Sequence, residues 1–591
     1  MCGIAGVMKR DGSAPDLSVL DGLEAALRHR GPDGEGRYLS GGLGMVQTRL
    51  AIIDLKTGDQ PLHEPTGGAM ITNGEIYNYL ELREQLSGAD QSVVFSTHSD
   101  GEPALYLYQR DGLDFAEQLR GMYALAISDP EQSQLVLARD PFGIKPLYYA
   151  ETGDAFIFAS EPQALVKTGL VKPEVLPRAR NELLELQFNT GRKTLFEGIQ
   201  RVMPGETLVI REGRVVERRR RPSLPKGKPR DWTEQEAMDH LESALMDSVD
   251  VHQRSDVPYG LFLSGGLDSS AILACMARLN DQPVRSFTAG FPGTGVHDER
   301  DHARELARVV GAEHTEIEVT REDFWTLLPE IAEAVDDPAA DYAILPTYKL
   351  AAAASKELKV VLCGEGGDEI FAGYGRYRAT LRPWWMGGRA LRSRGIMDGF
   401  KVLRDDPRGW RDGIVAAQSL GADDERTRLQ VAQSVDVADW LPNDLLIKLD
   451  RCLMAHGLEG RTPFLDPRVA DVGFCLDDGL KIRDGRGKYL LRKWLEKVLP
   501  QAQPFAKKRG FTVPVAEWIL DQGARLGPLV AAQPGVAEVC HPDRVRGLFK
   551  KSGKRAGLAS WNLLFYALWH QAHIVGDAGE GDVFDTLGEG A

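Results

Sequence analysis

The sequence predicts an α+β domain followed by an α/β domain built on a parallel sheet, and three observations carry that reading. A chain of 591 residues exceeds what one hydrophobic core holds, so it divides into at least two large domains. Residues 1–210 run as short, alternating apolar stretches broken by Gly and Asn, which are strand signals. Beyond residue 232, apolar runs alternate with amphipathic helical ones, the pattern of a parallel sheet with covering helices.

Taken in order, LGMVQTRLAIIDL, AMITNGEIYNYL, MYALAISD, LVLARDPFGIKPLYYA and AFIFASE read as strands of the first domain. Helical spacing is confined there to LSVLDGLEAAL and GEPALYLYQRDG. ERRRRPSLPKGKPRDW lacks apolar periodicity, so residues 211–231 are expected to be a linker. Its four arginines, Arg218 to Arg221, are read as solvated rather than as a nucleic-acid site. Helix restarts at TEQEAMDHLESALMDSV, where Thr233 and Glu236 have capping-box spacing. VPYGLFL, VRSFTAGF and KVVLC then alternate with SSAILACMARL, ERDHARELARVVG and LPTYKLAAAASKEL, placing a second domain over residues 232–570. Residues 571–591, ending GDAGEGDVFDTLGEGA, are expected to be a frayed acidic tail.

Composition narrows the function classes. Apolar and charged fractions of 43% and 27% are those of a globular protein, and a net charge of −15 argues against nucleic acid or anionic membrane as partner. Small-molecule chemistry is the expectation. The six cysteines show no CxxC spacing, which fits a reducing compartment and no zinc site. Lys9, Arg10 and Asp11 interrupt any signal-like N-terminus, and no apolar run is long enough to span a bilayer. A cytoplasmic location follows as an expectation, with a homodimer left open.

MCGIAGV opens the chain. Removal of Met1 would leave Cys2 with a thiol and a free α-amine, and that amine can act as base near neutral pH. An inert buried cysteine is the alternative. CGIAG, RHRGPDGEG, QTRLAIIDL, NGEIYNYLELR, HSDGEP and ARDPFGIKPLYY, in this order, resemble the glutamine amidotransferases with an N-terminal cysteine nucleophile. The resemblance implies a four-layer αββα sandwich of the N-terminal-nucleophile type. It makes Cys2 the nucleophile and gives the oxyanion to Asn73 and Gly74. Arg49 would clamp the glutamine carboxylate, and Glu75 and Asp100 would hold its ammonium. An ordinary ion pair at Arg49 and a hairpin turn at Asn73-Gly74 are the competing readings.

GLFLSGGLDSSAILACMARL runs from an apolar strand through Ser-Gly-Gly into a helix, a loop able to cradle phosphate, although a plain strand-to-helix turn would look similar. SGGxDS resembles the pyrophosphatase-type loop of enzymes that split ATP between the α and β phosphates. LCGEGGDEIFAGY supplies a second acidic loop after another strand, where ligands of parallel sheets bind. With EGRTPFLD and KKRGFTVP, this half resembles the synthetase domain of glutamine-hydrolysing asparagine synthetase.

That resemblance implies an ATP site of Phe262, Ser264, Gly265, Gly266, Asp268, Ser269, Ser270, Ala289, Gly290, Cys363 and Gly364. Asp268 and Asp368 would hold Mg²⁺. Glu365 would handle a proton beside the acyl-adenylate, and Lys508 would stabilise phosphate charge. Asp450, Arg451, Glu459 and Arg461 are read as a structural charge network. The implied reaction joins ammonia from glutamine to aspartate through β-aspartyl-AMP, the ammonia passing along an interdomain tunnel. The motifs specify glutamine and ATP better than the acceptor. A same-architecture amidotransferase for another carboxylate (natural product, peptide or sugar acid) and a non-catalytic protein of this fold therefore remain alternatives.

Overall fold

The computed structural model describes the chain apart from Met1 and residues 91–92, 297, 383, 387–389, 424, 507–512 and 590–591. The first domain carries strands β1 (Cys2–Lys9), β2 (Gly34–Ser40), β3 (Leu43–Arg49), β4 (Leu62–His63), β5 (Ala69–Ile76) and β6 (Gly121–Asp129). It continues through β7 (Gln134–Arg139), β8 (Tyr148–Glu151), β9 (Ala155–Ala159), β10 (Gln200–Arg201), β11 (Glu206–Arg211) and β12 (Arg214–Arg220). They form two six-stranded sheets, β10-β8-β9-β1-β3-β2 and β12-β11-β7-β6-β5-β4.

Ile4, Met45, Ile71, Ala126, Leu137 and Phe158 fill the space between the two sheets. Leu20, Leu23 and Leu27 of the helix Leu17–Leu27 cover the outer face of the first sheet. Helices Tyr79–Ala89 and Glu102–Asp111 cover the second through Leu82, Leu86, Leu105 and Leu107. The result is the αββα sandwich that the motifs imply. Because both faces of β1 are covered, seven of its eight residues are buried and its simple alternation disappears.

The arginine run is not a linker. Arg218–Arg220 belong to β12, which pairs antiparallel with β11 across a two-residue turn, Glu212-Gly213, with positive φ at both positions. An edge strand with both faces largely in water needs no apolar alternation, and charge on such an edge blocks further strand pairing. The C-terminal tail is also ordered: helix Val583–Glu589 buries Val583, Phe584 and Leu587, and the Phe584 ring lies 5.0 Å from that of Trp325. Apolar spacing among the acidic residues holds it down.

The second domain begins with the helix Glu234–His252, whose capping box between Thr233 and Glu236 is formed as its spacing implies. Its sheet consists of β13 (Tyr259–Phe262), β14 (Arg285–Gly290), β15 (Glu313–Glu318), β16 (Val360–Leu362) and β17 (Glu459–Arg461). The order is β15-β14-β13-β16-β17, with every pairing parallel. β13 and β16 are neighbours, so the SGG and GEGGD loops leave adjacent carboxyl ends of the sheet. The domains share apolar cores: Leu50, Ile52, Met122 and Phe142 pack in one cluster with Leu261, Leu362 and Leu465. Among the described residues, no helix is long and apolar enough to cross a membrane.

Candidate active sites

The first site gathers at the start of β1. Pairing with β3 sets Cys2 opposite Arg49, and the Cys2 backbone nitrogen donates to Asn73 Oδ1 at 3.2 Å. Asn73 is fully buried, and its Nδ2 has no hydrogen-bond partner among the described residues. A buried amide donor left open costs free energy unless a ligand fills it, which suits an oxyanion donor. Burial pushes the Cys2 thiol pKa up, partly offset by the Leu50 backbone N–H.

Asn73-Gly74 is not a hairpin turn. It lies inside β5, where Gly74 opposes Tyr123 of β6 with φ of +144°. A Cβ at Gly74 would come 2.0 Å from the Met122 carbonyl oxygen, so only glycine fits the close approach. Glu75 and Asp100 stand beside the same point, both buried. Burial first, then the neighbouring Asp100 carboxylate, raises the Glu75 pKa well above the usual range. Asp100 accepts from the Ile76 N–H at 2.7 Å, and burial lifts its pKa to about 6. Two buried carboxyls with poor compensation have the chemistry to receive an ammonium group. Arg49 is held by Asp59 at 2.6 Å and by the Asp54 carbonyl at 2.6 Å, so a carboxylate would bind by exchange with the exposed Asp59.

Sequence reasoning gave no role to Arg30 of the RHRGPD motif. It is fully buried, its Nε donates to the Cys2 carbonyl at 3.2 Å, and its outer nitrogens bind Glu161 and Asp450. Asp450, Arg451, Glu459 and Arg461 form buried ion pairs, with Arg461 Nε 2.6 Å from Glu459 and Nη2 3.6 Å from Glu75.

The second site is a cavity of about 950 Å³ at the carboxyl ends of β13, β14 and β16. Phe262, Ser264, Gly266, Asp268, Ser269, Ala289, Cys363, Gly364, Glu365 and Asp368 line it. Gly265 has φ of +71°, turning the chain from strand into helix, and Ser264 Oγ lies 3.0 Å from Ser269 Oγ and accepts from the Gly266 N–H at 3.2 Å. Three expected members do not line the cavity. Gly265 makes the turn itself; Ser270 is buried and donates to the Gly266 carbonyl at 2.7 Å. Gly290 packs under Arg300, whose Nε would lie 2.2 Å from an added Cβ.

Asp268 and Asp368 converge on one cation. Lys488 Nζ lies 2.5 Å from Asp268 Oδ2 and 2.7 Å from Asp368 Oδ1, and Lys488 is almost entirely buried. Gly373 is required there, since a Cβ would sit 1.8 Å from Asp368 Oδ1. Lys488 escaped the sequence reading; its only signal was a lysine placed just before the apolar helix of GKYLLRKW. Lys508, the lysine chosen by motif, lies outside the described residues. Burial raises the Glu365 pKa, countered by Lys448, and Lys448 Nζ binds Asp341 Oδ2 at 3.0 Å.

These geometries agree with the similarities of the whole chain. Residues 240–571 match the family model described as asparagine synthase, and residues 1–220 match the glutamine amidotransferase domain. The chain is 33% identical to asparagine synthetase [glutamine-hydrolyzing] 1 of Bacillus subtilis, covering 97% of each chain. It is 34% identical to a putative asparagine synthetase [glutamine-hydrolyzing] of Mycobacterium tuberculosis, again over 97% of each. Against asparagine synthetase B [glutamine-hydrolyzing] of Escherichia coli it is 30% identical over 88% of this chain and 83% of that one. The two matched domains, in that order on one chain, and these relatives place it in the glutamine-hydrolysing asparagine synthase family, a carbon–nitrogen ligase with ATP as substrate and glutamine as amido donor.

Proposed function

We propose that the chain converts aspartate, ATP, glutamine and water to asparagine, AMP, pyrophosphate and glutamate. The observation that carries this reading is that the SGG loop, Asp268, Asp368 and Glu365 line one cavity, with Lys488 joining the two aspartates. That cavity lies in a domain sharing an apolar core with the Cys2 domain.

Cys2 Sγ attacks the glutamine side-chain carbonyl once Met1 is removed, its proton passing to the new α-amine. Asn73 Nδ2 and the Gly74 N–H receive the oxyanion, while Arg49, Glu75 and Asp100 orient the glutamine head group. Ammonia leaves, and water releases glutamate from the thioester. In bulk water that ammonia would be mostly protonated and lost, so a dry interdomain passage delivers it.

In the second site the aspartate β-carboxylate attacks the ATP α-phosphorus and pyrophosphate departs. Ser264, Gly266 and Ser269 would cradle the phosphates, Phe262 and Ala289 would flank the adenosine, and Cys363 and Gly364 would floor the pocket. Lys488, joining the two aspartates, would offset pyrophosphate charge, and Lys508 is assigned the same task by motif alone. Asp268 and Asp368, already sharing one ammonium, fit a shared Mg²⁺. Among the described residues no three metal-binding side chains group together, so the phosphates would complete the coordination. Bound Mg²⁺ would supply neutralisation of the departing charge. Ammonia then attacks the acyl carbon, Glu365 takes its proton, and AMP leaves.

The test is mass spectrometry of products from ATP, Mg²⁺, aspartate and amide-¹⁵N glutamine. Labelled asparagine with AMP, lost in Cys2→Ala and restored by ammonium, is the expected result. Glutamate release without AMP from aspartate would overturn aspartate as acceptor and direct the assay to peptide and sugar-acid carboxylates. Complete loss of glutamine-dependent product in the presence of an ammonia scavenger would overturn the passage.

A further inference from the structure

The helix Leu446–Met454 forms a wall between the two sites. Lys448 and Leu449 line the synthetase cavity with Glu365. Asp450, two residues on, binds Arg30 through both oxygens, at 2.8 and 3.0 Å. Residues two apart on an α-helix point about 200° away from each other around its axis. One short helix thus presents a cation to the adenylating cavity and an anion to the glutaminase.

The connection to the nucleophile is direct. Arg30 Nε donates to the Cys2 carbonyl at 3.2 Å, and Asn73 Oδ1 accepts from the Cys2 nitrogen. Cys2 is therefore gripped at both backbone ends, by the oxyanion residue on one side and by Arg30 on the other. Arg30, fully buried, takes its place from Asp450 and Glu161. The helix is tied twice to the stretch 336–341: Lys448 Nζ to Asp341 Oδ2 at 3.0 Å, and Arg451 Nε to Asp336 Oδ1 at 2.7 Å. A carboxylate or phosphate arriving in the cavity competes with Asp341 for Lys448 and so loads this helix. The interior is close-packed, and a helix shift of a few tenths of an ångström is felt by its partners.

We propose, building on the reaction above, that Asp450 is a positioning residue that couples the sites: it sets the Cys2 backbone through Arg30 and, through its helix, passes occupancy at Lys448 to the glutaminase. A purely structural ion pair would affect folding alone. Coupling requires that glutamine hydrolysis depend on what the other cavity holds, and that this dependence run through Asp450.

The experiment compares wild type, Asp450→Asn and Asp450→Glu in three assays on the full chain with Mg²⁺: glutamate release alone, glutamate release with ATP and aspartate, and AMP release driven by ammonium chloride. Wild type is expected to release glutamate several-fold faster with ATP and aspartate present, at about one glutamate per AMP. Asp450→Asn should lose that stimulation, with ammonium-driven AMP release within about twofold of wild type. Asp450→Glu, keeping the carboxylate, should restore part of the stimulation. Unchanged stimulation in Asp450→Asn, or a wild type whose glutaminase ignores ATP and aspartate while AMP forms, overturns the proposal. Absence of AMP in wild type with every acceptor would instead overturn the reaction, and Asp450→Asn would then be judged on its glutamine KM and kcat, which must change if Arg30 positions Cys2. Should Asp450→Asn not fold, Asp336→Asn frees the same helix through Arg451 while leaving Arg30 both carboxylates. It should lose stimulation with basal glutamate release intact, and retained stimulation would overturn the proposal.

Discussion

At the scale of single residues, the glutaminase pocket holds carboxyls that the neighbouring protein groups do not fully compensate. Asp100 accepts one backbone N–H, yet burial lifts its pKa from 3.8 to about 6. A carboxyl whose folded pKa exceeds its unfolded one favours folding while protonated. Its contribution is complete below pH 3.8 and declines as pH rises to about 6, by about 3 kcal/mol across that window. Asp100→Asn is thus expected to raise the melting temperature at pH 7 and leave it unchanged at pH 3.5, while weakening glutamine binding. In the wild type the same titration appears as function. Below pH 6 the carboxyl gains a proton and no longer attracts an ammonium, so the glutamine KM should rise about tenfold by pH 5. Ammonium-driven AMP release over the same range serves as control. A glutamine KM that stays flat between pH 7 and 5 would exclude Asp100 from the substrate's ammonium.

At the scale of elements, the SGG turn, the GEGGD turn and the residue before the helix Tyr489–Val498 act as one unit. Gly367 approaches Asp268 so closely that a Cβ would lie 2.5 Å from Oδ1, and Lys488 closes the cluster from an αL backbone with φ of +58°. Lys488→Met leaves two partly buried carboxylates without their ammonium. AMP formation should fall by about 100-fold or more, the scale of losing one preorganised charge at a reacting phosphate, with basal glutamate release retained. AMP formation within threefold of wild type would remove Lys488 from the reaction. Both loops of this unit were legible because strand, glycines and acid run consecutively. Lys488 was not, since it lies 120 residues beyond Asp368 and only the fold brings it back. The same distinction explains other differences. Asn73-Gly74 has the composition of a turn, and only pairing along β5 and β6 makes it a mid-strand close approach. The arginines of β12 carry no period because an edge strand has little core to face. The Val583–Glu589 helix was hidden by acidic neighbours that hydrophobic periodicity weighs more heavily than three apolar contacts.

At the scale of the whole molecule, the two catalytic domains are joined by shared cores as well as by ion pairs. Phe142, 1% exposed and contributed by the first domain, packs in one cluster with Leu261, Leu362 and Leu465 of the second. If ammonia crosses this seam, tight packing has a task beyond stability, because a void beside the route admits water, and water protonates ammonia or lets it escape. Phe142→Ala removes a large buried side chain, costing about 3–5 kcal/mol of stability where the site cannot collapse. Its signature in function would be selective. Glutamate released per AMP should rise above one, ammonium-driven AMP release should hold near wild type, and external ¹⁵N-ammonium should enter the product more readily. Asp450→Asn differs in losing the stimulation by ATP and aspartate, which Phe142→Ala should retain. A Phe142→Ala enzyme that stays folded at one glutamate per AMP would show that the apolar seam only holds the domains together and that ammonia takes another way.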